Sequence, residues 1–234
     1  MTCAASTLAG LEQHGFALLP RFTTPEITEE LRRAVEEISF TSARAGLRDL
    51  LRVCPRVAAF AGSPGVVEQL IMFTRARPFA VRGILFDKTP DANWRVVWHQ
   101  DVTIAVREQR GVPDFGPWSV KDGVPHAHAP ASLLERMVTL RLHLDACDET
   151  NGALRVIPGS HRNGKLTAAD IEEWKARGPQ DYCLAEPGDA LLMRPLLLHA
   201  SSPATAPRHR RVIHLEFAVD ELPGGLAWAE RISA

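Results

Sequence analysis

Apolar positions near the N-terminus recur at helical spacing, and further along the chain they alternate. Ile27, Leu31, Ala34, Val35 and Ile38 share one face of a helix that Thr24 caps and Pro25 opens. Residues 15–20 (GFALLP) read as a short strand, and a second apolar helix is expected over 66–75. From there strand patterns dominate. Residues 79–87 (FAVRGILFD) and 94–98 (WRVVW) are rich in β-branched and aromatic side chains and are bounded by Pro, Asp and Asn.

The cleanest alternation spans 137–145. Val138, Leu140, Leu142 and Leu144 point one way, and Thr139, Arg141, His143 and Asp145 the other. Residues 148–152 form a turn, 154–161 return as a strand, and a short helix follows Thr167 within 165–177. Residues 186–195 and 210–219 are the last strands. In the final one Arg210, Val212, His214 and Glu216 share a face that should line a barrel. Arg211, Ile213, Leu215, Phe217 and Val219 should pack on the core. Residues 107–131 have no usable period and are dense in Gly, Pro and His, so a lid over the active site is expected there. The run 133–138 is too short to separate strand from helix. Helices first and then many short strands make the chain α+β and mainly β, with a sandwich or barrel core in one domain over 1–234.

Charge narrows the function classes. Lys and Arg number 27 against 28 Asp and Glu, a net charge of −1 with no basic stripe or acidic tail. A nucleic acid or a membrane surface as partner therefore has no electrostatic support. No stretch reaches the roughly 18 apolar residues of a membrane span, and the first residues lack a secretory pattern. Cys3, Cys54, Cys147 and Cys183 are scattered, with no C-x-x-C spacing. Free thiols in a cytoplasmic protein are expected.

His99 and Asp101 stand two residues apart at a strand end, so imidazole and carboxylate share a face. His199, which closes an apolar run and starts a polar turn, is the best third ligand. Two imidazoles and one carboxylate on one side of an ion leave its other positions open, the facial arrangement of non-haem iron(II) sites. An isolated H-x-D is a weak signal. The barrel-facing Arg210 strengthens it, because a guanidinium fork matches a carboxylate. Arg211 reads as a surface residue. His126 and His128 lack a third ligand and read as lid histidines; Trp94, Trp98 and Trp118 read as packing.

Four marks occur in order across nearly the whole chain: WHQD (98–101), NGALRVIPGSHR (151–162), EPGDALLMRPLLLHASSP (186–203), and Arg210 eleven residues after His199. Together they resemble the phytanoyl-CoA dioxygenase family of iron(II)- and 2-oxoglutarate-dependent oxygenases. The resemblance implies a double-stranded β-helix (jelly-roll, cupin-like) barrel with flanking helices. It implies His99, Asp101 and His199 as iron ligands and Arg210 on the distal carboxylate of 2-oxoglutarate, with Ser201 beside it and Lys88 within reach. With O2 as co-reactant, it implies hydroxylation of a C–H bond with release of succinate and CO2. Asp101 sets the chain apart from related halogenases, where a halide takes that place on the metal. His161 is expected to be structural.

The substrate does not carry over. Many family members have tryptophan where this chain has Arg141. Arg141 and His143 are expected to reach the site and to favour a small polar or acidic substrate bearing a carboxylate or phosphate. The competing expectations are that Arg141 pairs with Asp145 or an acidic neighbour and only braces the barrel, or that it helps hold 2-oxoglutarate. Two other functions remain open at this point: a non-catalytic jelly-roll protein that binds a small acid, and a non-redox cupin-like metalloenzyme.

Overall fold

A computed structural model describes residues 3–38 and 46–233, with side chains from residue 7 onward, so the Cys3 thiol lies outside the described part. Helix α1 (Cys3–His14), which no pattern announced, leads into strand β1 (Phe16–Leu19). Helix α2 (Pro25–Glu36) begins as its capping residues require, with Thr24 Oγ1 accepting the Ile27 N–H at 3.4 Å. Three further helices, α3 (Leu50–Val53), α4 (Pro55–Ala61) and α5 (Pro64–Thr74), precede the strands. No single helix among the described residues is long and apolar enough to cross a membrane.

The strands are β2 (Phe79–Lys88), β3 (Val96–His99), β4 (Thr103–Ala105), β5 (Trp118–Lys121) and β6 (Val124–His128), then β7 (Val138–His143) and β8 (Leu154–Val156). After them come β9 (Asp181–Cys183), β10 (Ala190–Met193), β11 (His199–Ser201) and β12 (Arg210–Ala218). Helix α6 (Ala131–Leu134) precedes β7, and α7 (Ala168–Arg177), capped by Thr167, precedes β9. A five-stranded sheet has the order β1-β10-β7-β12-β2, and a four-stranded sheet the order β3-β11-β8-β9. Neighbours distant in sequence pair antiparallel in both, which is the jelly-roll arrangement.

The two faces of the larger sheet differ as the alternation requires. Leu140, Leu142, Leu192, Ile213, Leu215 and Phe217 pack outward with Leu31 and Val35 of α2, Val57 of α4 and Leu70 of α5 in one buried cluster. Gly83 admits α3 to this face, since a Cβ there would lie 2.9 Å from Leu51 Cγ. Truncating Leu142 to alanine should lower the unfolding free energy by about 2–5 kcal/mol. A lower urea midpoint at unchanged slope would show it. The inner face carries Thr139, Arg141, His143, Arg210, His214 and Glu216, all buried.

Three expectations need correction. First, β7 ends at His143, whose N–H turns to Asp189 O at 2.9 Å. The chain bends there, and the Asp145 carboxylate meets Arg211 Nε and NH2, both at 2.8 Å. Asp145 therefore leaves the Arg141 face, and no Arg141–Asp145 pair forms. Second, only Leu154–Val156 of 154–161 is strand; Pro158 and Gly159, the latter at φ 81°, end it before a 3-10 turn over Ser160–Asn163.

Third, residues 107–131 are not a structureless loop. They hold the β5–β6 hairpin, which joins β4 in a three-stranded sheet. The hairpin turn is Asp122-Gly123, at φ 49° and 82°, the positive-φ pair of a two-residue hairpin turn. Phe115 and Ala127 pack with Ile104, Leu134 and Trp228 in a second buried cluster, with Trp118 against it. Cys54, Cys147 and Cys183 are buried free thiols, as expected.

Candidate metal centre and anion cleft

Antiparallel pairing of β3 and β11 sets His99 directly opposite His199. Their ring centroids are 4.2 Å apart. Asp101, just past the end of β3, has Oδ1 3.6 Å from His99 Nε2 and Oδ2 3.6 Å from His199 Nε2. The residue between them explains the placement. Gln100 points the other way and is pinned there, its Nε2 donating to Leu196 O at 2.6 Å and Gly164 O at 2.9 Å. Its Oε1 accepts the Leu166 N–H at 2.8 Å. With Gln100 fastened to the wall, His99 and Asp101 turn toward the interior.

Backbone carbonyls set the state of both imidazoles. His99 Nδ1 donates to Val97 O at 2.8 Å and His199 Nδ1 to Leu197 O at 2.9 Å. This places a proton on each Nδ1 and turns each Nε2 toward Asp101; burial lowers the His99 pKa, but Asp101 outweighs it and raises it. Burial, with His99 adding to it, pushes His199 down to about 3, so its imidazole is neutral at physiological pH. Burial opposes ionisation of Asp101, but His199 and His99 hold it well below the usual carboxylate range. The three ligand atoms lie within 4.8 Å of one another. Asp101 Oδ2 is buried with no hydrogen-bond partner among the described residues. Such an orphaned oxygen beside two imidazole lone pairs fits a divalent cation such as iron(II). His126 and His128 join no comparable group among the described residues. His161 lies in a separate surface groove with Glu12 and Arg194.

A cationic end adjoins this centre. Arg210 pairs in register with Lys88, and both are buried. Arg210 NH1 donates to Gly152 O, and its Nε has no partner among the described residues. Lys88 Nζ donates to Ser201 Oγ at 2.8 Å and to Ser202 O, while Ser201 Oγ donates to Gly152 O at 2.8 Å. The Asn151-Gly152 turn builds this corner. Gly152 stands at φ 80°, and a Cβ there would lie 2.7 Å from Lys88 Nζ. Burial, followed by Arg210, pushes Lys88 down to about 7.

Arg141 pairs in register with His214 and donates to its Nδ1 at 2.8 Å. Its guanidinium also lies 5.5 Å from the Phe86 ring centroid. Burial, followed by Arg210, pushes Arg141 down to about 10. None of Lys88, Arg141 and Arg210 has a carboxylate ion pair among the described residues. Buried cations without a counter-ion are costly, and their cost is relieved by a bound anion.

The triad, Arg141, Ser201 and Arg210 all line one cleft of about 360 Å³. Lys88 and His143 do not. Lys88 stands behind Ser201 as its brace. His143 faces Val212 in register, and neither reaches the cleft wall. Sequence reasoning missed Arg82, Phe86, Trp94 and Lys121 as lining residues, while His214 lines the cleft as its place on the barrel-facing side of the last strand predicts. Arg82 and Phe86 share the strand parity of Lys88, a signal that was available. Trp94 was read as packing, yet it walls the cleft and lies 5.7 Å from Lys88 Nζ.

The profile of the phytanoyl-CoA dioxygenase family (PhyH) matches residues 11–212. The chain is 26% identical over 171 residues to the peroxisomal phytanoyl-CoA dioxygenase of Mus musculus, an alignment covering 66% of this chain and 43% of the mouse protein. It thus spans under half of that relative's length. It is 24% identical over 240 residues to a methylphosphonate hydroxylase of Gimesia maris, covering 92% of this chain and 81% of that protein. Among solved structures, EctD from S. alaskensis with 2-oxoglutarate and 5-hydroxyectoine superposes at TM-score 0.70 and 16% identity, covering 92% of this chain and 76% of that one. The 2-oxoglutarate-dependent carbocyclase SnoK from nogalamycin biosynthesis does so at 0.72 and 14%, covering 94% and 87%. At these identities the two structures establish a shared fold.

Proposed function

The chain belongs to the phytanoyl-CoA dioxygenase family, and we propose that it is an iron(II)- and 2-oxoglutarate-dependent dioxygenase that hydroxylates a C–H bond of a small polar or acidic molecule. The observation that carries this reading is the pairing of the two Nε2 lone pairs and the orphaned Asp101 oxygen with a wall of uncompensated buried cations. Bound iron(II) and 2-oxoglutarate together supply the oxidising power, using O2 and releasing succinate and CO2. The match to a methylphosphonate hydroxylase is in keeping with a small acidic substrate.

The residues of the chain divide the remaining tasks. His99, Asp101 and His199 hold the metal. Arg210 offers its fork to the distal carboxylate of 2-oxoglutarate, with the Ser201 hydroxyl beside it and Lys88 bracing that hydroxyl. Arg141 is held by a neutral imidazole and keeps its charge for a bound anion. Phe86 and Trp94 form the apolar part of the wall and keep water from it.

Anaerobically purified protein supplied with iron(II), 2-oxoglutarate and then O2 is expected to form succinate, and a metal chelator should stop it. Binding of metal and 2-oxoglutarate with no succinate would instead support a non-catalytic acid-binding protein or a non-redox metalloenzyme. Arg141→Met should remove substrate-coupled succinate formation while 2-oxoglutarate affinity stays within about twofold. If calorimetry shows both lost together, Arg141 belongs to the cosubstrate site.

A further inference from the structure

The cleft carries a second basic wall. Arg82 and Lys88 stand six residues apart on β2, which separates them by about 20 Å along the strand. Arg210, with Lys88 behind it, marks one end of the cleft, and Arg82 belongs to the other. There Lys121, from the β5–β6 hairpin, donates to Thr103 Oγ1 at 3.2 Å. Arg82 NH1 lies 3.3 Å from Thr103 O, so both cations gather on one residue. Arg48 reaches the same hairpin through Asp122 at 3.3 Å.

The charges at this end are unequal. Arg82 has a carboxylate partner in Glu216 at 3.2 Å, and Arg48 has Asp122. Lys121 has no carboxylate partner among the described residues, only the neutral Thr103 hydroxyl. Among the described residues of the cleft wall five cationic side chains, Arg48, Arg82, Lys121, Arg141 and Arg210, face a single carboxylate, Asp101. The two charges of 2-oxoglutarate and that of Asp101 balance a divalent metal and Arg210. Arg141 and Lys121 are left over. Burial, then Arg82 and Arg48, lower the Lys121 pKa, so the cations at this wall repel one another. Lys121 lines the same cleft as His99, Asp101 and His199.

We propose that Lys121, with the Thr103 hydroxyl and Arg82 beside it, is the site for an anionic head group of the substrate, and that this group is a phosphonate or phosphate. The proposal rests on the oxygenase reading and adds the substrate class to it. A lysine ammonium is a point charge without the planar fork that suits a carboxylate, and it serves phosphate-type oxygens well. A tetrahedral dianion also presents oxygens toward Lys121, Thr103 and the arginines at once, which a planar carboxylate does not. It brings the two charges that Arg141 and Lys121 call for.

The test uses the iron(II)-loaded protein without O2, saturated with 2-oxoglutarate, and calorimetric titration with methylphosphonate. Wild type should bind it, and Lys121→Met should weaken binding by at least about 10-fold, the loss of one charge-assisted contact. Lys121→Arg should restore most of it, and Lys175→Met on the remote helix α7 should change nothing. Equal affinity in wild type and Lys121→Met, or no binding in wild type, overturns the site. Acetate binding as tightly as methylphosphonate overturns the head-group assignment. The 2-oxoglutarate titration that precedes each run reports on the parent reading separately. If the metal-loaded protein does not take up 2-oxoglutarate, the oxygenase reading fails, while a methylphosphonate affinity that depends on Lys121 still supports the anion site.

Discussion

Asp101→Ala is expected to leave a folded protein that neither retains iron nor forms succinate. Asp101 is the only carboxylate on the cleft wall among the described residues, and its two oxygens face the two imidazoles at 3.6 Å each. Without it two neutral imidazoles remain, and a divalent ion loses both a ligand and a compensating charge. Changes in groups that merely support metal ligands cost about 10–100-fold in affinity, so loss of the ligand itself should cost at least about 100-fold. Iron content after gel filtration measures this directly. Thermal melting measures it independently. Wild type should gain stability from added metal, by about 2.7 kcal/mol at a concentration 100 times its Kd, and the variant should gain little at the same concentration. A variant that keeps one iron per chain and normal succinate formation would remove Asp101 from the metal centre.

The grouping of His99, Asp101 and His199 was legible because it depends on short-range geometry. His99 and Asp101 stand two residues apart at the end of β3, and His199 opens β11, the strand paired with β3 in the same sheet. Strand parity separated the outer and inner faces of β12 and of β7 as far as His143. Thr24-Pro25 and Thr167 marked helix starts because capping is local. Parity failed where the backbone stopped being a strand. Asp145 was assigned to the Arg141 face by counting, but the chain bends after His143 and the carboxylate goes to Arg211 on the other layer. Lys88 and His143 lie on the correct face, yet whether they reach the cleft depends on what stands in front of them. Ser201 covers the first, and that is a tertiary fact.

The hairpin at 118–128 is a different kind of miss. Asp122-Gly123 between Val120 and Val124 is a hairpin-turn signal. Pro117 and Pro125 obscured the alternation on both sides, and the density of Gly, Pro and His favoured a loop. Pro125 is tolerated because its carbonyl, which it retains, accepts the Val106 N–H at 3.0 Å. The hairpin delivers Lys121 to the cleft wall. Helix α1 was missed because no acidic residue stands in its first turn to announce its start. The uncompensated cations could not be recognised from sequence at all. A net charge of −1 conceals them, because most acidic partners lie on the outer surface.

Arg210 and Arg211 are adjacent in the chain, and their substitution by methionine should have opposite consequences. Arg210 is 3% exposed, on the inner face, with an Nε that no described residue satisfies. Removing it would leave the distal carboxylate of 2-oxoglutarate in a buried corner without its fork, a loss of about 2–5 kcal/mol and thus about 30-fold or more in affinity. Iron binding should be nearly unchanged, because the triad stands on other strands. Arg211 lies on the outer layer, bound to Asp145 through two nitrogens and paired with Glu36 of α2. Arg211→Met should keep 2-oxoglutarate affinity and lower stability by about 1–3 kcal/mol, since Asp145 keeps only the backbone N–H of residue 211, at 2.8 Å, and Arg32, at 3.5 Å. Burial opposes ionisation of Asp145, but the hydrogen bonds from Arg211 outweigh it and hold its pKa below the ordinary carboxylate value. A group depressed in this way stabilises the fold above its unfolded pKa and loses that effect as the pH falls through the folded one. The stability gap between wild type and Arg211→Met should therefore be full at neutral pH and shrink below about pH 4. Urea titrations at several pH values measure the gap, and calorimetry on metal-loaded protein measures 2-oxoglutarate affinity. Equal losses of that affinity in the two variants would show that the two arginines do not face opposite layers.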